Sequence, residues 1–347
     1  MGTEALPRHE PVGFDFSALF ALYPFIDDCG SSVPDFEKLK AFFEEPRFIT
    51  TYCGPGIVNQ RLTVDLISLT SSHKGLLGKK FIVQYCNWAL KISGYCSYCA
   101  ADIGLKDSDD GAYSHREFER WRKHELPIAL YADIQTFLCG ISIACPTATH
   151  VVKSLWSIND EPTDRNLHLY SLVSEAADFL ESNGVPLIDV ETSEAVRWTQ
   201  QQNGMLKGYS DTPASKSLSF FTRLFVESWR NDELSDLVWA VAGIEALLVD
   251  GGRSSIGQLK VKLEVLFQGY DKSKWILEMM EKTYSYRSKM LHGNRNLRSA
   301  FRHEEDQPSR FKEESESQLF AIGLLLWLIR YVIKNDLSSI KFRTILE

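Results

Sequence analysis

Residues 284–302, YSYRSKMLHGNRNLRSAFR, hold five lysine and arginine side chains and no carboxylate, in a chain of net charge −8. Two of its side chains could do chemistry together: Arg287 and His292 stand five positions apart, with Gly293 directly after the histidine. A histidine can take the proton from a ribose 2′-hydroxyl or deliver one to a departing 5′-oxygen. An arginine can grip the phosphate between them with two parallel hydrogen bonds and stabilise the charge that builds there. Arg287 and His292 are therefore candidate catalytic groups for phosphodiester cleavage in RNA. Lys289, Arg295, Arg298 and Arg302 are candidate contacts to the RNA backbone.

Spacing by itself decides little, because an arginine followed five positions later by a histidine occurs twice in the chain. The second instance, Arg298–His303, runs into the acidic stretch EEDQP (304–308) and reads as a solvated loop. The first lies on a helix predicted over 274–292, where Ile276, Met280, Thr283, Arg287 and Met290 or Leu291 follow the three-and-four alternation of a buried face. Arg287 thus occupies a position where an apolar residue is expected. A guanidinium there must be paired, must reach past the apolar surface, or must line a groove. His292 ends the helix at its negative pole, and Gly293 suits the left-handed residue that commonly closes one. The purely architectural reading pairs Arg287 with a carboxylate such as Glu245 and leaves His292 as a helix end. On an ideal helix, residues five apart differ by about 140° and about 7.5 Å in rise. One copy is thus a poor two-handed acid–base site, whereas two copies across a twofold axis would bring two histidines and two arginines to one cleft.

The surrounding elements extend the pattern. Helices are predicted over 219–230, 232–249, 255–269, 274–292 and 316–334, a compact bundle with short connections. The sequence YSYRSKMLHG, preceded by a helix containing GIEALL, resembles the HEPN domains, particularly their Apea-like group. The likeness covers roughly 215–335 and rests on Glu245, Tyr284, Arg287, Ser288, His292 and Gly293. It implies a metal-independent endoribonuclease without cofactor, acting as a homodimer through the C-terminal bundle, often within bacterial defence or toxin systems. By that resemblance Arg287 and His292 are catalytic, with Ser288, Glu245 and Tyr284 supporting them. Glu245 could orient Arg287 in the cleft or simply neutralise it in the core. Some members of the family do not cleave and only bind RNA or protein, which is the alternative role.

Residues 1–205 are expected to form an α+β domain, and 215–347 the all-α bundle, with the polar stretch 203–217 between them. Strands are predicted at 47–53, 61–70 and 79–92. Helices are predicted at 117–138, broken near Pro127, and at 167–186, stopped by Asn183-Gly184. The N-terminal domain would select a target, receive a protein trigger or inhibitor, or restrain a nuclease. Cys96-x-x-Cys99 is a weak zinc candidate because no second ligand pair stands at a matching distance. LEVLFQG (263–269) matches a protease-cleavage sequence used in expression tags, yet Leu259, Leu263, Leu266 and Phe267 continue a helical pattern. No glycine-rich dinucleotide loop, nucleophile elbow or HExxH occurs. Lys+Arg minus Asp+Glu is −9 over 1–210 and +1 over 211–347, summing to the chain's −8, so any anion-binding surface must be local. Residues 1–12 lack the apolar core of a secretory signal, and the apolar run 319–329 is too short to span a bilayer. Seven cysteines without a secretory context fit a reducing cytoplasm.

Overall fold

A computed structural model of the chain describes residues 5–6, 11–22, 34–50, 61–77, 84–99, 113–114, 120–121, 126–148, 151–159, 161–162, 172–202, 212–225, 233–249, 256–292 and 308–342. The chain divides into two units, Met1–Leu138 with Ala148–Leu169, and Cys139–Thr147 with Tyr170–Glu347. The first is a mixed α+β body and the second is helical.

In the first unit, β2 (Pro11–Leu22), β3 (Arg47–Thr50), β4 (Arg61–Ser68), β5 (Trp88–Cys99), β7 (Val151–Ile158) and β8 (Glu161–Pro162) form one antiparallel sheet, ordered β3-β4-β5-β2-β7-β8. Two dipeptides, β1 (Ala5–Leu6) and β6 (Tyr113–Ser114), pair separately. β2 and β5 run opposite each other over their full length, from Pro11↔Cys99 to Leu22↔Trp88. Strand alternation then puts Phe14, Phe16, Ala18, Phe20 and Leu22 on one face, all buried, beside Ile92, Cys96 and Tyr98 of β5. Trp156 of β7 sets its ring edge-on to both Phe16 and Phe20. Helix α1 (Pro34–Phe42) adds Leu39 and Phe42 to the buried set. One end of the opposite face is covered by α2 (Ser71–Leu77), whose Leu77 packs with Leu19, Ala21, Cys86 and Ala89.

Several N-terminal expectations shift. β2 and β7 are strands that were not anticipated. The strand expected at 79–92 begins at Trp88 and continues to Cys99. Over 117–138, expected to be partly helical and broken near Pro127, residues 120–121 are helical and α3 runs Leu126–Ala144 with Pro127 as its second residue, where a missing N–H leaves no intrahelical bond unmade.

The division between units falls inside α3, and the second unit takes in residues well before the polar stretch 203–217. The reason is packing. Helices α4 (Val173–Ser182), α5 (Thr192–Gln201), α6 (Pro213–Thr222), α7 (Glu233–Leu248) and α9 (Ser273–Leu291) all pack on α10 (Pro308–Lys334), while α8 (Ile256–Leu266) packs on α9 and α7. The residues from Phe320 to Val332 of α10 are nearly all buried, Trp327 and Arg330 among them. Trp327 packs against Phe267, ring centroids 4.3 Å apart and planes tilted by 38°, so the LEVLFQG segment supplies core residues of this body. Close approach is purchased with glycine: a Cβ on Gly323 would sit 2.7 Å from the Ala176 carbonyl oxygen, and one on Gly243 would sit 2.8 Å from Leu325. Asn183 caps α4 and Gly184 follows at φ +79°, the stop that Asn183-Gly184 predicts.

α10 is long and apolar enough to cross a membrane by length and composition, but 83% of its apolar window is buried within the protein. Among its described residues the buried cation is Arg330, which is 5% exposed and donates to backbone carbonyls: Nε to Ile143 at 2.6 Å, Nη2 to Ala144 at 3.2 Å and Nη1 to Ile188 at 3.1 Å. Ile143 and Ala144 end α3, where carbonyls have no intrahelical partner. Charged hydrogen bonds of this kind are each worth roughly 1.5–3 kcal/mol, and stranding their acceptors adds a desolvation penalty. Arg330→Met is expected to destabilise the protein by about 3 kcal/mol and to lower its melting temperature by about 8 °C. Thermal unfolding followed by circular dichroism measures this.

Candidate functional site

The candidate residues sit on two neighbouring helices of the second unit. α7 carries Glu245 near its C-terminus, and α9 carries Tyr284, Arg287, Ser288 and Lys289 in its last two turns. α9 forms because its sequence has no Gly or Pro and buries a continuous stripe of Ile276, Met279, Met280, Thr283 and Tyr286. Exposed carboxylates line its other side, Glu281 pairing with Lys260 of α8 at 2.7 Å. The anticipated stripe is present but rotated slightly. Tyr286 belongs to it, Met290 is half-buried, and Leu291 is 54% exposed.

Arg287 lies at the edge of that stripe. Its Nη1 is 3.5 Å from Oε1 of Glu245, and the two side chains are 20% and 17% exposed. The Tyr284 ring lies beside the guanidinium, centroid 5.8 Å from Cζ. Arg287 therefore has its carboxylate, as the architectural reading expects, yet the pair does not satisfy it. Its Nε is buried without a hydrogen-bond partner, and so is Oγ1 of Thr283, one turn earlier on the same helix. Nη1 engages Glu245, while Nε keeps an unused donor beneath the surface of the helical unit.

His292 closes α9 in a near-helical conformation, φ −90° and ψ 8°, its N–H donating to Ser288 O. The imidazole is exposed, as is Lys289, and Ser288 is half-buried. In one chain the guanidinium is thus drawn toward α7 while the imidazole stands in solvent beyond the helix end. Gly293, Arg295, Arg298 and Arg302 fall outside the described residues.

Cys96 is fully buried on β5. A Cys-x-x-Cys zinc hook needs a turn between its cysteines, whereas β5 runs through positions 96 to 99 as extended strand, in which positions three apart face opposite sides. Among the described residues no three His, Cys, Asp or Glu side chains group as a metal site. Burial pushes the Cys86 thiol up to about 11 and raises that of Cys139 further, so both are protonated and poor nucleophiles at neutral pH.

The unpartnered Thr283 hydroxyl and Arg287 Nε carry no sequence signal, because both depend on how α7 and α9 meet. No protein-family model, curated protein or solved structure matches the chain.

Two substitutions measure the energetics of the site. Thr283→Val removes a buried hydroxyl that has no partner and keeps the shape, so stability should be unchanged or rise by up to about 1 kcal/mol. Glu245→Ala leaves a half-buried guanidinium without its carboxylate and should cost about 1–2 kcal/mol. Urea denaturation gives both values.

Proposed function

We propose that the C-terminal helices form a HEPN-type domain and that the protein is a metal-independent endoribonuclease, cleaving RNA through attack of the ribose 2′-hydroxyl. The observation that carries this reading is a guanidinium tethered by one nitrogen to Glu245 and unpaired at another, on the helix that ends in the exposed His292. Arg287 would bind the scissile phosphate and steady its developing charge, and His292 would transfer the proton. Ser288, Tyr284 and Glu245 would support them, Lys289 would contact the RNA backbone, and Arg295, Arg298 and Arg302 would extend that contact.

A homodimer follows from the chemistry. About 140° and about 7.5 Å of helix separate the two groups in one chain, too far round the axis to flank one phosphate. Two copies joined through the helical unit would place two of each around a shared cleft. The α+β unit would receive a protein trigger or inhibitor, or choose the RNA. A bacterial defence or toxin system in the cytoplasm is the setting this proposal fits.

One observation favours a second reading. The Glu245–Arg287 ion pair already offsets the charge of the guanidinium, and a helix end needs no catalytic histidine. Under that reading the helices bind RNA or protein without cleaving, and the function resides in the α+β unit.

Purified protein is expected to cut single-stranded or loop RNA in EDTA and to leave cyclic phosphate ends. His292→Ala and Arg287→Ala should each slow cleavage by about 100-fold or more. Cleavage at equal rates by wild type and both variants would reject the assignment. Salt-dependent RNA binding without cleavage, unaffected by either substitution in the biological assay, would select the second reading.

A further inference from the structure

Away from α2, the second face of the sheet changes character. One row crosses five strands in register: Phe48 of β3, Thr63 of β4, Ser93 of β5, Ser17 of β2 and Ser157 of β7. Four hydroxyls in line give a covering helix little apolar area to pack on. In the next row outward, Thr50 pairs with Arg61 and Tyr95 with Asp15. Asn159 holds Asp15 in place: its Oδ1 accepts from the Asp15 N–H at 2.9 Å, and its N–H donates to Asp15 O at 2.8 Å.

Tyr95 is 62% exposed, yet its ring does not stand off the sheet. A Cβ on Gly13, its diagonal neighbour on β2, would collide with the phenol oxygen. Glycine leaves the space in which the ring lies down across β2, its outer face turned to solvent. A second flat group lies on the other side, where the Arg61 guanidinium sits over the Phe48 ring, Cζ 3.5 Å from the centroid. Two to three strand spacings, about 10–14 Å, separate the two flat surfaces. The charges beside these rows cancel, Arg61 and Lys91 against Asp15 and Asp65, all four exposed. Such a balance makes no track for phosphates, and residues 1–210 carry a net −9. A fitting ligand offers uncharged flat faces with hydrogen-bonding edges. The bases of a single strand have both, because stacking needs no charge and carboxylates and hydroxyls read base edges.

We propose that this end of the sheet binds single-stranded RNA by its bases, one stacked on Tyr95 and another on the Arg61 guanidinium. The choice of RNA among ligands with flat faces rests on the endoribonuclease reading. Asp15 and the hydroxyl row meet the base edges, and the phosphates face solvent. Selection here is by base identity, whereas the basic stretch after Arg287 would hold RNA by charge.

The test uses the full chain carrying His292→Ala, so that the RNA stays whole, with short labelled single strands of each base in anisotropy titrations. Tyr95→Ala should weaken binding to the preferred strand about tenfold, the scale of one lost base stack, while Tyr95→Phe binds as the parent does. That ratio should be the same at about 50 mM and about 300 mM salt, because the lost contact is uncharged. Ultraviolet cross-linking to RNA containing 4-thiouridine, on the unaltered sheet, should mark Tyr95 when mapped by mass spectrometry. Affinity that Tyr95→Ala leaves unmoved, or cross-links that avoid β5, overturns the proposal. So does a neutral oligosaccharide that binds through Tyr95 where RNA does not. The two readings fail separately. Uncut RNA whose binding still depends on Tyr95 rejects the nuclease and keeps the sheet site, and cut RNA indifferent to Tyr95 does the reverse.

Discussion

The helical unit is organised by the burial of a single segment. From Phe320 to Val332, α10 has almost no solvent contact, and five helices take their places by packing on it. A helix apolar on every side must be enclosed on every side, which sets how many neighbours this body requires. Arg330 is the one charge in that enclosure, and it is retained because the end of α3 presents carbonyls that nothing else satisfies. The candidate site lies on helices this segment orders: α7 and α9 both pack on α10, and their shared support brings Glu245 within reach of Arg287.

That arrangement bears on the choice between catalysis and architecture. A guanidinium fully engaged by carboxylates would be a structural charge. A guanidinium held at one nitrogen with another left over is oriented but not used up. Arg330 provides the comparison within the same body, since its Nε, Nη1 and Nη2 all donate to carbonyls. Of these two arginines, one has its capacity spent on the fold and the other does not.

The helices of the C-terminal half were legible because each buries one stripe and exposes the other. The expected ranges 232–249, 255–269 and 274–292 fall within a few residues of α7, α8 and α9. The sheet was harder to read. In β2, Leu19 and Ala21 are buried under α2 while Phe20 and Leu22 are buried on the other face, so polar alternation disappears where both sides are covered. β5 contains Gly94, which breaks a strand pattern on paper. In space it lets the strand lie against β4, where a Cβ would come within 2.8 Å of Leu62. At the site, Arg287 was conspicuous as a charge at an apolar position, and Glu245 was a candidate partner. What no pattern could supply was the count of hydrogen bonds Arg287 is left without.

Gly323 has a further consequence. With the Ala176 carbonyl and the Leu180 side chain both so near, only one angular setting of α10 brings a residue without a side chain to face α4. Advancing the helix by a single residue would swing it about 100° and drive Leu324 or Ile322 into backbone. The rod is keyed: it has one admissible phase about its own axis, and every group mounted on it inherits that phase.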